Sequence, residues 1–429
     1  MEDKRKLDVA IEVNGRMREV GSITGENEYT ASFSYSEDYL ASNDARAISI
    51  ALPLRSEPYG PLETGTFFEG LLPEGFLRRT ISDNNRADSN DYMTLLEMLG
   101  CECLGAIQIR GSRFVAIEPG YRELSGRELR DLAAEGATAS ADLVVEAHLS
   151  LTGASGKVGV YKGPDGKWYL PVGSAPSTHI LKQSHIRYDY IVQNEQLAMR
   201  TAELLGIDVP RTVIVDTGGE GDGDRLLFAS ERYDRTTEGS ADEISGLPVP
   251  RRLHQEDFGQ ALGIPAADKY ERTGGVYMKR MFDLLAARSK TPVEDQMKLW
   301  DIIVFHWLIG NTDGHIKNFS LLYDSNLRSL RLAPAYDIIS TVVYDNHSTQ
   351  MAFSIGGESD WGRIDRECFE RAAAGTGLNK KIMLGRFDDL SSRFDCALKQ
   401  ACSELSDAGY SEVTAIADII RQMRKRSNR

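Results

Sequence analysis

Asp313 and Asn318 stand five residues apart in the segment NTDGHIKN, and Asp337 follows 24 residues after Asp313. Those residue types at that spacing suit phosphoryl transfer. One carboxylate can accept the proton of an attacking hydroxyl, while an Asn and a second carboxylate hold Mg²⁺ on nucleotide phosphates. Taken alone the spacing is weak, because Asn, Asp and Gly also close ordinary turns. Its surroundings add weight. LWDIIVFHWLIG is an apolar helical run ending at Gly310, and FSLLY and SLRLAPAYD read as two strands joined at Asp324-Ser325-Asn326. A D-x-x-x-x-N loop followed by a hairpin and a metal-binding Asp is the order used in protein-kinase catalytic loops.

A second half of such a site is expected upstream. Lys182 ends the strand-like STHILK. In the helical stretch after it, Ile191, Glu195, Ala198, Ala202 and Leu205 share one stripe. Glu195 interrupts that apolar face, and a carboxylate there is costly unless a cation pairs with it. Lys182 is the expected partner, since a strand Lys held by a helix Glu positions the α- and β-phosphates in kinases. A structural ion pair is the plain alternative. Gly153-Ala154-Ser155-Gly156-Lys157 lies between strand candidates, where backbone amides freed by glycine can cradle phosphate. The loop lacks Walker A spacing and is read equally well as a hairpin turn. Glu231 and Tyr233, in FASERYDR, sit where a strand-rich half gives way to a helical half, the place for a hinge against an adenine edge.

These residues need an α+β scaffold to position them. Asn14-Gly15 predicts a hairpin, FFEGLLPEGFLRRTISDNN a helix interrupted by Pro73, and DYMTLLEMLG a helix closed by Gly100. LGAIQIRGSRFVAIEP predicts a second hairpin, and Ser125 with Glu128 a capping box. Strands are expected at VGVYK and KWYLPV around Pro164-Asp165-Gly166, then at THILK, RTVIVD and RLLFASERYD. Helices dominate after about residue 255. The predicted domains are an α+β module at 1–130, a nucleotide-binding core at 131–235 and a helical lobe at 236–429 carrying the catalytic loop.

Composition narrows the class. The 429 residues carry 50 basic and 64 acidic side chains, a net charge of −14, which opposes broad nucleic-acid binding by this chain alone. Hydrophobic residues at 41% and charged residues at 27% fit a globular chain. No apolar run reaches membrane-spanning length and the first residues lack a signal peptide's apolar core, so no membrane and a cytoplasmic location are expected. The five cysteines form no zinc-spaced set and read as reduced thiols. The turn TGGEGDGD at 217–224 lacks calcium-loop spacing. His254 reads as a hydrogen-bonded structural or nucleotide-edge histidine, His306 as a satisfied core histidine, and the basic tail RQMRKRSNR as a solvated helix end before a DNA or partner contact.

FFEGLLPEGFLRR, SLTGASGK, STHILK, Asn194-Glu195, ERYDR, RLHQEDFGQALG, FHWLIGNTDGHIKNFSLL and LAPAYDI follow in order over most of the chain. In these stretches the sequence resembles the HipA-type serine/threonine kinase toxins of bacterial type II toxin–antitoxin modules. The resemblance implies a two-lobed kinase-like fold whose N-terminal module elaborates the smaller lobe. It implies Asp313 as catalytic base, Asn318 and Asp337 as Mg²⁺ ligands, and Lys182 as an ATP contact positioned by Glu195. Further nucleotide contacts are implied at residues 153–157, Glu231, Tyr233, His315 and Tyr336. Ser150 falls where the family has an autophosphorylation site, whose added charge ejects the neighbouring loop. That loop departs from the family's Gly-Ala-Gln-acidic-Lys pattern, gaining glycine and flexibility, and Ser155 becomes a second candidate acceptor.

The implied activity is ATP- and Mg²⁺-dependent phosphorylation of a translation protein, typically an aminoacyl-tRNA synthetase such as glutamyl-tRNA synthetase, arresting growth and producing persistence. The implied partner is a HipB-like helix-turn-helix antitoxin, through which the chain would meet operator DNA indirectly. Two rivals are a small-molecule kinase of related fold and a non-catalytic co-repressor on an antitoxin–DNA complex.

Overall fold

The computed structural model describes residues 5–111, 117–134, 137–147, 156–183, 188–218, 225–272, 274–345 and 348–427. The fold class is α+β, as expected. The chain divides into two compact units. One comprises Met1–Ile186, Val215–Ala266 and Leu322–Arg328; the other comprises Arg187–Ile214, Ala267–Leu321 and Ser329–Arg429.

The first unit opens with a sheet in the order β3-β2-β1-β4, made of β1 (Arg5–Val13), β2 (Arg16–Gly25), β3 (Ser32–Tyr35) and β4 (Ile107–Gly111). Asn14 and Gly15 both take positive φ, 51° and 77°, as a tight two-residue hairpin turn demands. Alternation along β1 buries Leu7, Val9 and Ile11; of the helices Pro61–Phe68, Gly75–Asn85 and Tyr92–Leu99 that follow in this unit, the first packs on β3 and the third on β4. Pro73 falls in the break between the first two of these helices, and Gly100 caps the third. The apolar run ISIALPL turns back on itself through a single bridge between Ser49 and Leu52. In the second expected hairpin, β4 pairs with β1, and residues 112–116 lie outside the described residues.

A second sheet of this unit carries β5 (Gly120–Glu123), β6 (Lys157–Lys162), β7 (Trp168–Val172) and β8 (His179–Gln183), with the strand Leu226–Glu231 beside β8. The Ser125 capping box forms: Glu128 accepts from the Ser125 amide at 2.8 Å, and the Glu128 amide donates to Ser125 Oγ at 3.2 Å.

A buried ion network ties the sheets together. Glu102 accepts from Arg232 at 3.2 Å, Arg235 at 2.7 Å and Arg252 at 2.7 Å, while Asp234 pairs with Arg232 and Glu12 with Arg252. Burial alone would push the Glu102 carboxyl up, but the Arg235, Arg252 and Arg232 charges outweigh it and hold the group well below the usual range.

The second unit is mostly helical. Its centre is the helix Pro292–Ile309, buried along most of its second half, with the long helix Lys380–Asp407 packed on it and on the helix Ile191–Leu204. Arg200 and Glu404 clamp the last two together at 2.6 Å. The closing helix Val413–Ser427 holds Arg424 over the Phe394 ring and 2.9 Å from Asp395, so that arginine of the basic tail serves packing. Among the described residues no helix is long and apolar enough to cross a membrane.

Candidate active site

The helix Pro292–Ile309 ends because Gly310 takes φ +74°, where a Cβ would lie 2.3 Å from Val342 Cγ2. The chain then turns sharply into the polar loop. Asn311 is buried and works in both directions: its Oδ1 accepts from the Asp313 amide at 3.0 Å, and its Nδ2 lies 2.9 Å from His306 Nδ1. Burial pushes His306 down to about 4, so it stays neutral, a structural histidine as expected. The Thr312 amide and hydroxyl both bond Thr341 Oγ1, at 2.9 and 2.8 Å. With its neighbours so fixed, Asp313 projects to solvent, and Tyr270 donates its hydroxyl to Asp313 Oδ1. Nothing in the sequence marked Tyr270. It also meets the His315 ring edge-on at 5.4 Å between centroids.

Five residues on, Asn318 is buried and its Nδ2 donates to Asp337 Oδ2 at 3.3 Å. Asp337 takes φ +59°, a left-handed backbone that Asp tolerates better than most residues. That region costs energy and persists where surroundings impose it. The restraint is visible three residues later. Asn194, on the helix Ile191–Leu204, accepts from the Ser340 amide at 3.0 Å and donates to its carbonyl at 2.9 Å. Tyr336 ties the segment back: its hydroxyl donates to the Lys317 carbonyl at 2.8 Å and lies 2.7 Å from Ser320 Oγ. Glu195, next to Asn194, is buried in the same helix.

An Asn amide beside a carboxylate fits Mg²⁺, which takes one or two protein oxygens and completes its octahedron with phosphates and waters. Among the described residues no group of three or more His, Cys, Asp and Glu side chains is placed to hold a metal. Asn318 and Asp337 together offer side-chain oxygens for such an ion.

In the first unit, register brings Lys157 of β6 directly opposite Lys182 of β8. Lys157 is buried, and Lys182 Nζ lies 5.5 Å from the centre of the Phe228 ring. Two cations directly opposed across strands concentrate positive charge, a juxtaposition suited to phosphate oxygens. Only pairing register reveals it. Glu231 ends its strand opposite His179 and is exposed. Tyr233 donates its hydroxyl to Gln255 Oε1. Between them Arg232 is locked into the buried ion network, and its amide donates to the Thr178 carbonyl at 2.8 Å. Gly156 lies beside β6, whereas Ser150, Gly153, Ala154 and Ser155 fall outside the described residues, as does most of the 217–224 turn.

A helical unit that presents an Asp and an Asn–Asp pair, and a strand-rich unit with paired lysines, have the make-up of a kinase-type protein. Residues 149–398 match the HipA-like C-terminal domain, and residues 11–110 the HipA N-terminal domain. The protein Y4mE of Sinorhizobium fredii is 33% identical over 400 residues, 91% of each chain. The serine/threonine-protein kinase toxin HipA of Shewanella oneidensis is 26% identical over 392 residues, 87% of this chain and 86% of that one. The solved structure of HipA from the Shewanella oneidensis MR-1 toxin–antitoxin system, in complex with HipB and operator DNA, has the same fold. Its TM-score is 0.78 at 23% identity, over 98% of this chain and 96% of that one. The chain belongs to the HipA family of kinases.

Proposed function

We propose that this protein is an ATP- and Mg²⁺-dependent serine/threonine protein kinase and the toxin of a type II toxin–antitoxin pair. The observation that carries the reading is Asn318 beside Asp337 at 3.3 Å, on the loop that exposes Asp313. Asp313 accepts the proton of the substrate hydroxyl, with Tyr270 orienting its carboxylate. Asn318 and Asp337 are the residues that hold the metal, which when bound neutralises charge on the transferring phosphoryl group. Lys157 and Lys182 engage phosphates, with Glu195 as the charge that positions Lys182. Glu231 and Tyr233 flank the adenine edge, and His315 and Tyr336 complete the nucleotide contacts. Ser150, or Ser155 in its altered loop, is the self-phosphorylated serine. The substrate is a protein of translation, an aminoacyl-tRNA synthetase in the first instance. A HipB-like antitoxin neutralises the chain and links it to operator DNA, a partnership named for the Shewanella relative.

The test is Asp313→Ala. Asp313 is exposed, so the variant should fold and unfold as the parent does. Transfer of radiolabel from ATP to lysate proteins should fall about 10²- to 10⁴-fold, the scale of a lost general base. Growth inhibition should disappear, and an added mass of about 80 Da on Ser150 or Ser155 should be present only with Asp313. Undiminished labelling would remove Asp313 from the role, and labelling confined to small molecules would replace the protein substrate.

A further inference from the structure

The strongest unexplained feature is a basic cavity in the first unit, built by loops that the kinase reading does not use. It measures about 510 Å³ and is walled by Arg16, Arg18, Arg46 and Arg328, with Asn326 and Asp44 among its other residues. A chain of net charge −14 gathers four guanidinium groups there against one carboxylate.

These side chains are held from three directions. Arg16 and Arg18 alternate on β2, so both point to one face of the sheet, with exposed Met17 between them. Arg46 follows the helix Glu37–Ala41, and its amide and carbonyl both bond the Tyr39 hydroxyl, at 3.0 and 2.8 Å. Burial pushes the Tyr39 hydroxyl up, while its bond to the Arg46 backbone and the charges of Arg18 and Arg46 pull the other way. Arg18 and Arg46 therefore act on one point. Arg328 comes from the turn after Tyr323, and that turn is stitched to the hairpin. The Asn14 amide donates to the Ser325 carbonyl at 2.8 Å, and Ser325 Oγ donates to Asn14 Oδ1 at 3.1 Å. A fifth guanidinium, Arg251, packs under the hairpin so closely that a Cβ on Gly15 would lie 2.9 Å from its Nε.

The positive charge is little neutralised. Neither the Arg16 nor the Arg18 guanidinium has a hydrogen bond or ion pair with another described residue. The Arg46 guanidinium bonds the neighbouring Ala45 carbonyl, and Arg328 reaches Asp44 at 3.8 Å in an exposed pair. Gathering like charges with so little compensation is unfavourable unless an anion joins them. Guanidinium forks match phosphate oxygens two at a time. The cavity's volume lies within the range of about 300–1,000 Å³ typical of small-ligand sites, and its charges converge on a hollow rather than lining a stripe, as a duplex backbone would require.

We propose that this cavity binds a small anion carrying two or more linked phosphate groups, separately from the nucleotide used in phosphoryl transfer. The test is titration calorimetry of the full chain with inorganic tripolyphosphate, alongside Arg16→Gln/Arg328→Gln and the charge-matched surface pair Arg127→Gln/Arg363→Gln. Affinity should fall at least about tenfold in the cavity variant and stay unchanged in the surface variant. Both substituted arginines are exposed, and the variant's thermal unfolding should match the parent's. Should that variant fail to fold, Arg16→Lys serves instead. It keeps the charge but loses the fork, and should weaken binding measurably. Equal affinity in parent and cavity variant, or an equal loss in the surface variant, would overturn the proposal. So would arginine-dependent binding of a short duplex DNA more tightly than tripolyphosphate, which would make the surface a nucleic-acid contact.

Discussion

Asp313 is held in place by its neighbours as well as through its own side chain. Asn311 fixes its amide, Thr312 is pinned to Thr341, and the Tyr270 hydroxyl meets the exposed carboxylate. Tyr270 is itself about half exposed, so its hydroxyl is not there to satisfy burial. That argues for a positioning role, tested by Tyr270→Phe. Removing one hydrogen bond to a charged group is worth about 1.5 kcal/mol, which corresponds to roughly tenfold in rate. We expect kcat to fall by about that factor with little change in the KM for ATP and none in thermal unfolding. A change confined to KM would instead make Tyr270 a nucleotide contact. At this scale Asp313 and Asn318 were legible because their spacing is local. Tyr270 was not, since 43 residues separate it from Asp313 and a lone tyrosine carries no pattern.

Elements were legible where local chemistry decides them: the Asn14-Gly15 turn, the Ser125–Glu128 box, and the helix that Gly310 stops. The apolar run at 48–54 was not. Its strand-like composition is overridden by Glu256, which accepts from Ser49 Oγ, the Ile50 amide and the Tyr323 hydroxyl and so bends the run into a turn. The same carboxyl makes the turn pH-dependent. Burial, partly opposed by those bonds, pushes Glu256 up to about 7 from 4.5. The native state thus keeps a proton that the unfolded chain releases, and stability is greatest below about 4.5. It declines as pH rises toward about 7 and is level above it. The full shift corresponds to about 3 kcal/mol. Glu256→Gln keeps the shape without the titration, so its urea midpoint should vary less between pH 5 and pH 8 than the parent's. An identical pH slope in both proteins would clear Glu256 of this role.

On the scale of the whole chain, order along the sequence revealed the family, while register and backbone conformation did not show in it. Opposing Lys157 to Lys182 requires the β6–β8 pairing, and the left-handed Asp337 depends on Asn194 holding Ser340 across 146 residues. The proposed activity asks the two units to serve one chemical event. Lys182 belongs to the first and Asp337 to the second, so the demand is energetic and measurable without reference to their arrangement. If both act on the same nucleotide, removing either leaves the other with little to stabilise, as happens among residues that work as a unit. Lys182→Met and Asp337→Asn should each lower phosphotransfer by about 10²-fold or more, and the double variant should be no worse than the poorer single one. Were the two independent, their losses would multiply to about 10⁴-fold or beyond. Lys182 is part-exposed and Asp337 half-buried, so both singles should remain folded enough to measure. Multiplying losses would separate the lysine strand from the chemistry at Asp337 and leave the Asn318–Asp337 pair to be explained without it.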